Sequence, residues 1–460
     1  MSTPAPATSS AVPGTAPAPG TAAPSTPADG SPVPVLHSAT HRRPPMSEAG
    51  LLDYLVRDDS LVWARRGDGI VGFGEVARFT ARGAERFDGA RRWWDAIGRA
   101  AVVRNPLGWP GTGPAAFATI AFDATSTWPS TLVVPRLIVG RRGDESWLTV
   151  ISDDPDADLS VESAEAELAL LLEEGSLEHE LGSGGTLQPG RISDEEHVAA
   201  VAAGVEAIRA GDLTKLVLAR DAVAELDEPV AVAQVLRELA LRYSDCWTYS
   251  VRGLVGATPE MLVRVTGTTA QARVLAGTLD RATAPAGDAG YADRVLAGDE
   301  KQRHEHQLAI DSLTRQLGPL VDTMTAPAEP FVLQLPNVWH LASDVEAQLT
   351  LHDDGRTPSA LDLAEVLHPT AAVCGTPTEE AAALIRRLEG MDRGPYAGPV
   401  GWVDAAGNGE FGIALRGGVV EDPRHVRLYA GGGIVSASEP EAELAETWAK
   451  MRPMREALGI

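Results

Sequence analysis

Apolar positions recur with two different periods along the chain. Val198, Val201, Val205 and Ile208 fall on one face of a 3.6-residue repeat, opened by a Ser193/Glu196 capping box and closed by Gly211, which predicts a helix. Glu162 to Leu177, Asp293 to Gln316 and Glu441 to Met451 are further helical stretches, and Trp93 and Trp94 sit in another. Between them lie short β-branched and aromatic runs that predict strands: Leu61 to Trp63, Gly69 to Gly74, Phe117 to Phe122, Leu213 to Arg220, Leu254 to Val263, Leu275 to Thr278 and Gly409 to Gly417. Leu132 to Val139 and Trp147 to Ile151 read as a hairpin turning through Gly140 to Gly143. Gly182 to Gly190 reads as a glycine-rich linker, and Gly431-Gly432-Gly433 as a sharp bend with room for an approaching group. Met1 to about His41 contains almost nothing to bury, so residues 1–45 are expected to be a disordered tail ahead of a single domain, 46–460.

Composition narrows the class. The chain has 460 residues, 44% of them hydrophobic and 22% charged, enough for a large folded core. A net charge of −25 argues against a nucleic-acid partner, and an anionic small molecule would need a local cationic cluster to overturn that field. Two cysteines cannot build a disulfide framework. No apolar run reaches membrane-spanning length and no signal-peptide pattern opens the chain, so a cytoplasmic protein without a membrane partner is expected.

Candidate chemistry gathers in the second half. Glu443, Glu446 and Lys450 share one face of the last predicted helix, a set that suits a hard divalent cation beside an anion, or only a solvated Glu446/Lys450 pair. Lys215 lies in an apolar strand, where a lysine needs a partner or a task. Pro259 interrupts its strand and demands an edge or a bulge, which could turn Glu260 into a cavity or leave it on a turn. Glu305 shares a helix face with Lys301. His304 and His306, two residues apart, cannot face one ion, so a metal here would take oxygen ligands, as Mg²⁺ does. Arg416 ends an apolar strand, as carboxylate-binding arginines often do.

In order, Lys215-Leu-Val-Leu-Ala-Arg220, Thr258-Pro-Glu260, Ala276-Gly-Thr278, Glu305-His306, Trp339-His-Leu341, His368-Pro-Thr370 with Gly375-Thr-Pro377, Tyr396-Ala-Gly-Pro-Val-Gly-Trp402, Ile413-Ala-Leu-Arg416, Ala430-Gly-Gly-Gly-Ile-Val435 and Glu443, Glu446, Lys450 resemble the chorismate-utilising enzyme family. The resemblance covers residues 191–460; residues 46–190 look like the family's more variable N-terminal part. It implies an α+β fold of two large, mostly antiparallel sheets packed face to face with helices outside. It also implies a site in which Lys215 is the base and Glu260 the acid, which requires an uncharged amine and a protonated carboxyl. Glu305, Glu446 and Glu443 would hold Mg²⁺, while Gly277, Thr278, His340, Ala372, Tyr396, Arg416, Gly431 and Lys450 would bind chorismate. A monomer is expected.

Within the family, Lys215 points to water as the nucleophile, because anthranilate synthases carry glutamine there. Ala372 resembles isochorismate synthases, where salicylate and aminodeoxychorismate synthases tend to carry threonine. Tyr396 points towards salicylate synthases. Water addition at C2 with loss of the C4 hydroxyl is thus the expected activity. Salicylate formation, aminodeoxychorismate formation and a non-catalytic chorismate-binding subunit stay open.

Overall fold

The computed structural model describes residues 33–175, 184–281, 284, 285, 288, 290–335, 338–351 and 355–460, without the side chains of Ala276, Thr278, Asp280, Lys301 and Glu305. Among these residues the strands form one sheet of thirteen and one of ten. In the larger sheet, Gly185–Pro189 lies at one edge, followed by Lys215–Leu226, His425–Ile434, Gly417–Asp422, Leu254–Thr258 and Trp247–Val251, and then by the N-terminal strands. The smaller sheet includes Val338–Leu349, Thr269–Asp280, Met261–Thr266, Gly409–Ile413 and Pro399–Asp404 side by side. His37–Arg43 and Val102–Arg104 pair in parallel, whereas the ladders around the site are antiparallel. The expected two-sheet α+β architecture is the one observed.

The sheets bury their facing sides in one core, to which the larger sheet contributes Trp63 and Trp147 and the smaller Phe117 and Phe411. Burial of such large apolar side chains is the main favourable contribution to folding. A second core lies where Val235, Leu236 and Leu239 of helix Val232–Arg242 and Met451 and Met454 of helix Pro440–Ala457 cover Ala222, Ala224, Val426 and Leu428. The helix at Asp194–Ala210 has the predicted Ser193/Glu196 capping box and ends on Gly211 in the left-handed conformation.

Two corners, where the chain leaves one sheet for the other, position the site. After Leu254–Thr258 in the larger sheet, Pro259-Glu260 carries the chain into Met261–Thr266 of the smaller one. The stretch read as one strand, Leu254 to Val263, is therefore two strands in two sheets. Proline is tolerated at the corner because no ladder partner requires its missing N–H. The return corner follows Gly409–Ile413, and Arg416 sits on it with φ of 52°, a conformation rare for a residue with a side chain. The corners are tied together, since Ile413 N–H donates to Glu260 O at 3.1 Å and Ala257 N–H to Arg416 O at 3.3 Å.

Other elements differ from the sequence reading. Ser130–Val134 belongs to the smaller sheet and Leu137–Arg142 to the larger, because Pro135 breaks the run. The hairpin is made by Leu137–Arg142 and Glu145–Ser152. Gly185–Pro189, read as linker, is an edge strand on Lys215–Leu226. His37–Arg43, placed in the disordered tail, is a strand paired with Glu145–Ser152, and Leu36 beside it is fully buried. Gly431 to Gly433 do not bend the chain: they lie inside the regular strand His425–Ile434, none with a positive φ.

Candidate active site

Lys215 opens a strand of the larger sheet and is 3% exposed, while Glu260, on the corner between sheets, is 6% exposed. Both line one cleft with Gly277, His340, Ala372, Tyr396, Arg416, Gly431, Glu443, Glu446 and Lys450. The cleft holds about 1060 Å³ of empty space, its mouth included. The structure therefore brings together eleven of the thirteen residues expected there. The side chains of Thr278 and Glu305 lie outside the described residues. Gln302, three residues before Glu305 on the same helix, lines the cleft.

Each position has a local cause. Gly277 sits at an irregularity in the pairing of Thr269–Asp280 with Val338–Leu349, with φ of +82°. The positive φ favours glycine there, and a Cβ would stand 2.6 Å from Gln302 Oε1, the movable end of that side chain. His340 Nδ1 donates to Gly277 O at 3.2 Å, and Arg416 Nη2 lies 3.4 Å from His340 Nε2. Tyr396 stacks on Tyr429 with ring centroids 5.2 Å apart and planes 11° from parallel. Lys450 Nζ donates to Gly431 O at 2.7 Å and pairs with Glu446 Oε1 at 2.5 Å. The ordinary i,i+4 pair of the sequence reading is thus present, but inside the cleft. The glycine row clears space: a Cβ on Gly432 would stand 2.9 Å from Glu443 Oε2.

The electrostatics separate the groups. Burial lifts the Glu260 carboxyl to about 7, although Lys215, Lys450 and Arg416 pull it towards its charged form. His340 is pushed down to about 3, first by burial and then by Arg416 and Lys450, so it is neutral. Burial also lifts the Tyr396 hydroxyl to about 12. The cleft therefore combines a carboxyl that can hold a proton near neutrality, a neutral imidazole and clustered cations. Such a site suits a small anionic substrate that undergoes proton transfer.

A family model described as chorismate binding enzyme matches residues 33–459. The chain belongs to this chorismate-binding family. The chain is 38% identical over 277 residues to isochorismate synthase DhbC of Bacillus subtilis (strain 168), covering 58% of this chain and 68% of that protein. With isochorismate synthase MenF of the same strain it shares 29% over 410 residues, 85% of each chain. The crystal structure of DhbC from Bacillus anthracis superposes with a TM-score of 0.70 at 29% identity, over 89% of this chain and 100% of that one.

For a divalent cation, the described donors are Glu443 and Glu446, two carboxylates on one helix face beside the space left by Gly432. Among the described residues no three His, Cys, Asp or Glu side chains gather as a metal site. The sequence reading missed Tyr429, Gln302 and Arg393, all of which line the cleft. Tyr429 stood two residues before the noted glycines, and the alternation along its strand was the signal available. Nothing local marked Gln302 or Arg393.

Proposed function

We propose that this protein is an isochorismate synthase, converting chorismate to isochorismate by adding water at C2 as the C4 hydroxyl departs. The observation that carries the reading is the shared cleft of Lys215 and Glu260, in which the carboxyl retains its proton up to about pH 7. The relatives DhbC and MenF of Bacillus subtilis, both named isochorismate synthases, support it.

In this reading the Lys215 amine takes a proton from the attacking water, and the Glu260 carboxyl gives one to the departing hydroxyl, which leaves as water. Proton transfers of this kind contribute roughly 10²–10⁴-fold each. Arg416 and Lys450 supply the local positive field that binds a dicarboxylate within a protein of net charge −25. Neutral His340, fixed by Gly277 O, lines the ring pocket without adding charge. Oxygen donors suit Mg²⁺, which would be held by Glu443 and Glu446 with Glu305, and when bound would neutralise a substrate carboxylate.

Incubating purified protein with chorismate and Mg²⁺ and separating the products tests the reading. Isochorismate as product supports it. Salicylate would show that pyruvate elimination follows, the alternative that Tyr396 keeps open, and no turnover would leave a chorismate-binding protein.

A further inference from the structure

We propose that Glu389 and Arg393 are positioning residues of this reaction: they stand in for a strand that the larger sheet lacks just after Lys215 and Leu216, and so set that lysine against the Ala372-Val373 wall of the cleft. Along one side the Lys215 strand pairs with His425–Ile434 continuously from Leu216 to Glu225. Along the other it pairs with Gly375–Thr376 at Lys215 and Leu216, Val217 N–H still reaches Cys374 O at 2.8 Å, and Gly185–Pro189 joins only from Ala222 onward. The backbone groups in the gap need partners, since a buried N–H or C=O left unpaired costs roughly 1–3 kcal/mol.

Side chains fill that gap. Arg393 Nη2 donates to Val217 O at 2.9 Å, and Ala219 N–H donates to Glu389 Oε1 at 2.7 Å. The same guanidinium donates through Nη1 to Val373 O at 2.8 Å and through Nε to Glu389 Oε2 at 2.9 Å. Its face lies 4.3 Å from the Phe122 ring centroid. Glu389 and Arg393 are 1% and 4% exposed. One rigid group therefore joins the backbone two residues after Lys215 to the backbone one residue after Ala372. Stability alone does not explain an ion pair here, because apolar residues of similar volume often serve a core as well. A lysine at 393 would present a single ammonium and could not bridge both carbonyls in this geometry.

The proposal rests on Lys215 acting as the base, and the test separates the two. Four proteins are compared for melting temperature, KM and kcat, with products separated chromatographically: wild type, Lys215→Ala, Arg393→Lys, and Glu389→Gln combined with Arg393→Met. The double variant removes both charges while glutamine still accepts from Ala219 N–H, so it avoids leaving one buried charge unpaired. Expected for the double variant and for Arg393→Lys is a kcat lower by roughly 10²-fold, the scale of an ångström of misplacement, with chorismate KM within about threefold of wild type. Wild-type kcat in either folded variant, or a loss confined to KM, overturns the proposal. Undiminished turnover by Lys215→Ala would instead remove the base assignment on which it rests.

Discussion

Glu260 is buried within electrostatic reach of Lys215, and burial outweighs that attraction enough to hold the carboxyl protonated up to about 7. An acid that must donate its proton is active below that value and spent above it. kcat/KM, which reports the free enzyme, should therefore fall as pH rises through about 7. Glu260→Gln should abolish most turnover and this limb with it. The stability sign agrees: a carboxyl raised from 4.5 to about 7 favours the fold below pH 4.5, and that contribution is lost as pH rises through 7. A pH–rate profile in which the falling limb survives in Glu260→Gln would assign the limb to another group.

Lys215→Ala should lower kcat by roughly 10²–10⁴, the usual contribution of a positioned base. Chorismate binding should persist, because Arg416 and Lys450 remain in the cleft. Single-turnover kinetics with a separate binding titration distinguishes the two effects. Loss of binding with unchanged chemistry would make Lys215 a substrate contact instead.

Tyr249 is fully buried, and its hydroxyl donates to Leu415 O at 3.0 Å, directly before the left-handed Arg416. Gly256 and Gly417 make room for that hydroxyl, which a Cβ would meet at 2.5 and 2.2 Å. Tyr249→Phe leaves the Leu415 carbonyl without this donor, a cost of roughly 1–3 kcal/mol, and loosens the corner that aims Arg416. Chorismate KM should rise more than kcat falls. An unchanged KM would show that the corner holds its shape without the tyrosine.

Much of this site could be read from residue type and order, because Lys215 in an apolar strand, Pro259 before Glu260, and the Glu443/Glu446/Lys450 face each carry a local physical anomaly. What could not be read depends on non-local pairing. The Gly431 to Gly433 run looks like a bend on local grounds, yet pairing with Val217 to Ala219 on one side holds it extended, and Gly432 leaves room for Glu443. Pro135 and Pro259-Glu260 look like breaks within strands, but they are the points where the chain changes sheets. Arg393 and Glu389 sit in a helix end and loop with no distinguishing pattern; only the gap beside Val217 and Ala219 gives them a role.

Glu446→Ala should abolish a Mg²⁺ requirement together with activity while leaving the fold intact, since Glu446 is only half-buried and contributes to no core. Gly432→Ala should weaken the Mg²⁺ response more mildly, because its new Cβ would displace the end of Glu443 and not backbone. Calorimetric titration of Mg²⁺ in the absence of substrate, alongside melting temperatures, checks both. Full activity of wild type in a chelator would remove the metal from the reading.

Deletion of residues 1–41 should destabilise the domain, contrary to what the low complexity of the opening segment suggests. The cut would remove fully buried Leu36, Ala39 at 4% exposure, and the pairing of His37 to His41 with Leu148 to Ser152. Burying one leucine contributes roughly 1.5–3 kcal/mol, and whole domains are stable by only about 5–15 kcal/mol, so the melting temperature should drop by several degrees. A chain beginning at Val33 keeps every one of these contacts and serves as the control. Equal melting temperatures for the two would mean that His37–Arg43 adds nothing to the sheet it joins.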